Sequence, residues 1–306
     1  MNVRVKAYAK LNLTLDITGT SNGYHLLDSL VCTVGLYDLI KLNRRADKKI
    51  TVEMHGLGSE LIEPENNNAY LAAKNYQNRF GCGGADIKIY KNIPMGAGMG
   101  GSSADAAGVL NGMAKLFGQG SEAQLKGLAD NLGSDTGYML SGGFARLTGR
   151  GEQVERIKTQ ASLWFLVLFP EAGVSTPQCY KLYDEFMSAP CAAPHSPSGQ
   201  AGTAGREFRC GALNQTASAI CSLKNGDFTT LGQSLSNALF TPAQKLNPQI
   251  GRAFGELKSF SPLGVNMTGS GSAVYALFET KELCEWARSR YKGGLNCAVF
   301  NTVVPN

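Results

Sequence analysis

Polar and apolar positions alternate from the start of the chain. Val3, Val5 and Ala7, then Leu11, Leu13, Leu15 and Ile17, share one side of an extended backbone. This predicts a strand or strand pair with Lys10 and Asn12 on the opposite face. Asn22-Gly23 predicts a tight turn, with Tyr24 and His25 just beyond it, and residues 30 to 54 hold further strands. Asn66, Asn67 and Asn68 read as cap and loop residues before a helix ending near Phe80-Gly81. In ADIKIYKNIP, Ile87, Ile89 and Lys91 face one way and Lys88 and Tyr90 the other, the pattern of a half-exposed antiparallel strand. The period then changes. Ala106, Leu110, Met113 and Phe117 recur at helical spacing, and Gly118 ends that helix. Ser121 predicts the cap of another helix, carrying Leu125, Leu128, Ala129 and Leu132 and stopped by Gly133.

SGGFARLTGRGEQVERI predicts a glycine-jointed hairpin leading out of a first unit. LWFLVLFP predicts a buried strand, GVSTPQCYKLYDEF a turn into a helix, and further helices run to about Phe260. NMTGSGSAVYALFET is a glycine–serine loop, Thr268 to Ser272, running into a strand. The pattern divides the chain into an α+β unit over 1–157 and a second over 158–306. Residues 187–207 are rich in Pro, Ala, Gly and Ser and predict a mobile surface insertion without assigned function.

Composition narrows this picture. The 306 residues suffice for two domains, and 43% hydrophobic with 17% charged residues is ordinary for a soluble globular chain. A net charge of +5 from scattered residues predicts small anionic ligands and no nucleic acid. The eight cysteines form no C-x-x-C pair, which argues for reduced thiols. No apolar run approaches the roughly 18 residues of a membrane span. A cytoplasmic protein is expected.

The candidate chemistry lies in PMGAGMGGSSADAA. Gly96, Gly98, Gly100 and Gly101 let a ligand approach the backbone, and Ser102 and Ser103 add hydroxyls where the helix begins. Free N–H groups feeding a helix N-terminus attract an anion. G-x-G-x-x-G is satisfied, but the preceding strand alternates and no acidic residue follows at dinucleotide-fold spacing. No G-K-[ST] closes the glycines as in a Walker A loop. The loop reads as a phosphate cradle, with a glycine-rich structural turn as the blander alternative. Asp135, in a tight G-S-D-T-G turn, is open to two readings: a cap for the next short helix, or a carboxylate that takes a proton from a substrate hydroxyl. The second loop at 268–272 is either a plain turn or a partner of the first around one anionic ligand.

Three blocks, AKLNLTLDITGTSNGYHLLDSL, PMGAGMGGSSADAA and NMTGSGSAVYALF, resemble the GHMP kinase superfamily of ATP-dependent small-molecule kinases. K-L-N-L followed by G-Y-H resembles the branch acting on cytidine diphosphate-linked methylerythritol in non-mevalonate isoprenoid synthesis. The resemblance implies a ribosomal protein S5 domain 2-like N-terminal domain, a ferredoxin-like α/β C-terminal domain, and an active site in the cleft between them. It implies ATP with Mg²⁺ as cosubstrate, and a monomer or homodimer. Asp135 matches the catalytic aspartate and Lys10 the lysine beside it. Pro94, Met95, Gly96, Ala97, Gly98, Met99, Gly100, Gly101, Ser102, Ser103 and Ala104 match the ATP phosphate loop, with Asn67 and Lys91 on the adenine side. Asn12 matches a residue beside the acceptor hydroxyl. Tyr24, His25 and Tyr180 match the positions that sandwich and read the cytosine. Thr176, Gly269, Ser270 and Gly271 match further substrate positions. No metal ligand is implied. Two departures stand out: GSDTGYML replaces the family's G-A-D-V-P-F-F, and NALF at 237–240 replaces N-D-L-E. The alternatives are a kinase of the superfamily for another small alcohol, which has no use for the Tyr24, His25 and Tyr180 set, and a catalytically silent metabolite sensor, which need not keep Lys10 and Asp135.

Overall fold

A computed structural model describes residues 2–57, 67–188 and 215–305. Most of the predicted insertion, residues 189–207, lies outside these, as does Asn66.

The first half is built on one long strand. β1 (Asn2–Asn12) and β2 (Thr14–Ser21) precede β3 (Tyr24–Arg44), which runs for 21 residues. β3 pairs with β1 and β2 along one edge. Along the other it meets β6 (Phe144–Gly149) and β5 (Ala85–Lys91). β4 (Ile50–Gly56) extends the sheet beyond β5, and β7 (Gln153–Ile157) extends it beyond β6 as the predicted hairpin. The Asn22-Gly23 turn joins β2 to β3, both residues at positive φ (51° and 77°). Alternation in β5 holds, with Ile87, Ile89 and Lys91 all buried. Its pairing is mixed, however: antiparallel to β3 and parallel to β4.

Three longer helices and one short one complete this half. α1 (Asn68–Phe80) is capped by Asn67, whose side chain accepts from Ala69 N, and ends on Gly81 in the left-handed region. α2 (Gly101–Phe117) lies across the sheet with Gly108 and Gly112 against Ile40 and Leu42 and closes on Gly118 as predicted. α3 (Glu122–Ala129) starts with a Ser121–Gln124 capping box. It stops before the expected Gly133, because Leu132 N already folds back onto Ala129 O (2.9 Å). α4 (Thr136–Met139) is one turn long.

The second half holds β8 (Trp164–Phe169), α5 (Thr176–Ser188), α6 (Gln215–Asn225), α7 (Phe228–Gln233), β9 (Ser236–Asn237), α8 (Phe240–Leu246), α9 (Gln249–Lys258), β10 (Gly264–Met267), β11 (Val274–Phe278), α10 (Lys281–Arg290) and β12 (Asn296–Asn301). Its sheet order is β10-β11-β8-β12, antiparallel throughout, the ferredoxin-like arrangement. The halves interlock. β9 pairs with Thr14 and Leu15 of β2, and Val303 N donates to Thr33 O. Phe165, Val167, Tyr275 and Leu277 of the second half join the same apolar core as Leu11, Leu30 and Ile87 of the first. Burying that surface together stabilises both sheets and sets the angle of the cleft between them. Among the described residues six cysteines are free, and no helix is long and apolar enough to cross a membrane.

Candidate active site

The loop between β5 and α2 forms one wall of a cleft of about 590 Å³. Gly96, Gly98 and Gly100 all take positive φ, and two of them are required by their neighbours as well. A Cβ on Gly98 would stand 2.1 Å from the carbonyl oxygen of Thr268, and one on Gly96 would stand 2.9 Å from the Gly173 Cα. The second glycine–serine loop thus docks on the first through main chain. Ser272 N donates to Gly96 O (2.9 Å), Ala273 N to Ala97 O (3.1 Å), and Thr268 Oγ1 to Gly98 O (3.2 Å). The predicted convergence of the two loops is what the fold builds. Gly100 sits at the N-cap of α2 without a side-chain cap, so the first-turn N–H groups of α2 remain available to an anion.

Lys10 reaches the same place from β1. Its backbone N–H donates to Met99 O (3.1 Å), and its ammonium lies 3.4 Å from Asp135 Oδ2. The lysine side chain is 5% exposed and the aspartate 29%, so Asp135 presents an open edge to the cleft. Asp135 does occupy the N-cap position of α4, yet its side chain makes no capping hydrogen bond. Capping therefore does not account for this carboxylate.

Asn12 lines the same cleft and is also held by protein groups. Its Oδ1 accepts from Lys10 Nζ and Gly269 N (3.0 Å), its Nδ2 donates to Ser29 Oγ (2.8 Å), and its backbone N–H donates to Thr268 Oγ1 (3.1 Å). The amide is held at both ends by protein and ties Lys10 to the second loop. Ser270 Oγ in turn meets Thr176 Oγ1 at the start of α5 (2.8 Å).

The aromatic set is brought together only in part. His25 stacks on Tyr180 (centroids 4.7 Å, planes 27° apart), and its Nε2 is 2.7 Å from Asp184 Oδ1. Burial first, and then the charge of Asp135, push the Tyr180 phenol well above its ordinary value. Tyr24 makes no ring contact with either. It is 57% exposed, with the Arg150 guanidinium 4.9 Å over its ring. A sandwich by all three rings is therefore not assembled in this structure, because the faces of His25 and Tyr180 already cover each other.

On the adenine-side wall, Asn67 is the cap of α1 and Asn68 Nδ2 donates to Ser102 Oγ (2.9 Å). Lys91 lines the cleft, but its ammonium is held between the carboxylates of Asp38 and Asp105, and its carbonyl accepts from Leu57 N (3.3 Å). Only its methylene stem is left for a nucleotide.

Sequence reasoning missed Thr268, Asp184 and Asn237. Asp184 lies one helical turn after Tyr180, so the period of α5 carried a signal for it. Asn237, in the departing NALF segment, donates to Met267 O (2.8 Å) and Gly269 O (2.9 Å) and holds the second loop. In GSDTGYML, Tyr138 turns into the core and its hydroxyl meets Thr33 Oγ1 (2.8 Å) and donates to Gly143 O (2.7 Å). Asn237 thus supports the cleft from behind, whereas Tyr138 ties α4 to β3. A larger hollow of about 1400 Å³ on another side of α2 contains neither glycine loop and neither Lys10 nor Asp135.

Comparison with known proteins agrees with this geometry. The GHMP kinases N terminal domain matches residues 67–145, and the GHMP kinases C terminal domain matches 218–290. The 4-diphosphocytidyl-2-C-methyl-D-erythritol kinase of Caldicellulosiruptor saccharolyticus is 34% identical over 306 residues, 99% of this chain and 97% of its own length. That of Clostridium beijerinckii is 32% identical over 298 residues, 95% and 97% of the two chains. A crystal structure of 4-(cytidine 5'-diphospho)-2C-methyl-D-erythritol kinase superposes with TM-score 0.74 at 26% identity, covering 98% of this chain and 99% of that one. A crystal structure of L. major mevalonate kinase gives TM-score 0.73 at 14% identity over 99% and 96%, a likeness of fold alone. With nearly its whole length aligned to these relatives, the chain belongs to the GHMP kinases, in the 4-diphosphocytidyl-2-C-methyl-D-erythritol kinase family.

Proposed function

We propose that this chain transfers the γ-phosphoryl group of ATP to the 2-hydroxyl of 4-diphosphocytidyl-2-C-methyl-D-erythritol. The observation that carries the reading is the Lys10–Asp135 pair, 3.4 Å apart at the foot of the glycine loop, with the carboxylate free of any capping duty. The Asp135 carboxylate accepts the hydroxyl proton as the acceptor oxygen forms its bond to phosphorus and the bond from phosphorus to the ADP oxygen breaks. Lys10 orients that carboxylate and offsets charge developing on the transferred group. The N–H groups of residues 96–103 hold the phosphates. His25, oriented by Asp184, is suited to hydrogen-bond the edge of the cytosine, and Tyr180 to stack on its face once the two rings part.

Among the described residues no three His, Cys, Asp or Glu side chains gather as a metal cage. Mg²⁺ would enter with the ATP and neutralise the charge of its phosphates.

The test is ATP consumption with Mg²⁺ and the cytidine-linked acceptor, run beside homoserine and mevalonate. Turnover with the cytidine substrate alone supports the proposal. Turnover only with another alcohol would remove the cytosine-pocket assignment while leaving the cleft and Asp135 in place.

A further inference from the structure

The glycine loop is fastened at both ends by one buried ionic cluster that touches neither Lys10 nor Asp135. Asp38, on β3, is fully buried. Its Oδ1 accepts from Asn92 N (2.5 Å) and Ile93 N (2.9 Å), the two residues immediately upstream of Pro94. Its Oδ2 pairs with the ammonium of Lys91 at the end of β5. The same ammonium donates to Asp105 Oδ2 (2.6 Å) in the second turn of α2, downstream of the loop. Asp105 is 2% exposed and its other oxygen, Oδ1, has no partner. The Lys91 nitrogen lies 3.6 Å from where a Cβ on Gly101 would stand, directly under the point at which loop becomes helix. Main chain at one end of the loop and helix at the other are thus joined through a single cation.

We infer that Asp38, Lys91 and Asp105 form a clasp that sets the span of the glycine loop and thereby its affinity for the nucleotide phosphates. They are positioning residues, acting through the loop and not on substrate. A burial of three charges is a poor source of net stability, since desolvation offsets the attraction between them. What such a cluster does supply is a fixed distance, because each charge is held by partners on different elements. The inference rests on residues 96–103 being the ATP phosphate site.

Two variants test it from opposite ends. Asp105→Ala removes the helix anchor and leaves Lys91 paired with Asp38, so no charge is stranded. Asp38→Asn keeps an acceptor for Asn92 and Ile93 while its amide nitrogen cannot accept from Lys91. Binding of a non-hydrolysable ATP analogue with Mg²⁺, and separately of cytidine diphosphate as a probe of the other end of the cleft, is measured by calorimetry. Each variant is expected to weaken the ATP analogue tenfold or more and to leave the cytidine probe within twofold. Asp105→Asn, which still offers Lys91 an acceptor, is expected to restore most of the ATP-analogue affinity. Folded variants with unchanged ATP-analogue affinity would overturn the clasp, as would equal losses for both probes. Failure of both variants to fold would make the cluster a folding element and overturn its positioning role. A wild-type protein that binds no ATP analogue would instead remove the phosphate-site reading beneath it.

Discussion

Two lysine–carboxylate clusters flank the same glycine loop, and they are built differently. Lys10 and Asp135 stand 3.4 Å apart with the carboxylate 29% exposed, one edge toward the cleft. Lys91 sits between Asp38 and Asp105 with side-chain exposures of 3%, 0% and 4%. Burial opposes the Lys91 charge, but Asp105 and Asp38 outweigh it and raise its pKa. An open pair can exchange a proton with a ligand, whereas a closed cluster can only hold its own elements in register. On the proposed reading the same residue types serve chemistry in one place and geometry in the other, and solvent access decides which.

The largest effect that would sharpen this contrast is at the open pair. Asp135→Asn is expected to lower kcat by about 10²–10⁴-fold, the usual worth of a positioned general base, with the thermal midpoint unchanged. A drop in stability matching the loss of activity would show that Asp135 is structural after all.

At the closed cluster the effect should fall on stability. Lys91→Met strands two carboxylates in a dry site and is expected to cost about 3–5 kcal/mol in denaturant unfolding. A cost under about 1 kcal/mol would mean that water reaches the cluster and that the contrast in burial has no energetic content.

The subtlest effect is a pH dependence. Burial chiefly, with the Asp38 charge adding to it against the pull of Lys91, raises the Asp105 carboxyl from 3.8 to about 7. A carboxyl whose folded pKa is raised favours the native state at low pH, and that contribution is lost as pH climbs through the folded value. Asp105→Asn should therefore match wild type near pH 4 and gain on it progressively up to about pH 7. Unfolding curves at pH 4, 6 and 8 check this. A gap that is constant with pH would remove Asp105 from the titrating groups.

The local devices were legible because each depends on neighbours in sequence. Asn22-Gly23, the Asn67 and Ser121 caps, and the glycines closing α1 and α2 need only a few adjacent residues. Alternation in β5 correctly buried Lys91 but could not say what awaited it there, because Asp38 is 53 residues away. The protein partners of Asn12 were out of reach for the same reason: those at 268 and 269 are more than 250 residues distant. β3 was read in pieces, since no local period tells that one strand of 21 residues serves four partners.

By itself, then, the sequence determined most of the elements, the glycine loop leading into a helix, the pairing of Lys10 with Asp135 by resemblance, and the family. Tertiary structure alone decided that the two glycine loops dock main chain to main chain. It also decided that His25 and Tyr180 cover each other while Tyr24 stands apart, and that Lys91 is a buried tie. Propensity, capping and periodicity act over a turn or a strand pair, within reach of a sequence pattern. Which charge is dried and which stays wet depends on surfaces brought together from opposite ends of the chain, and that is set only when the core closes.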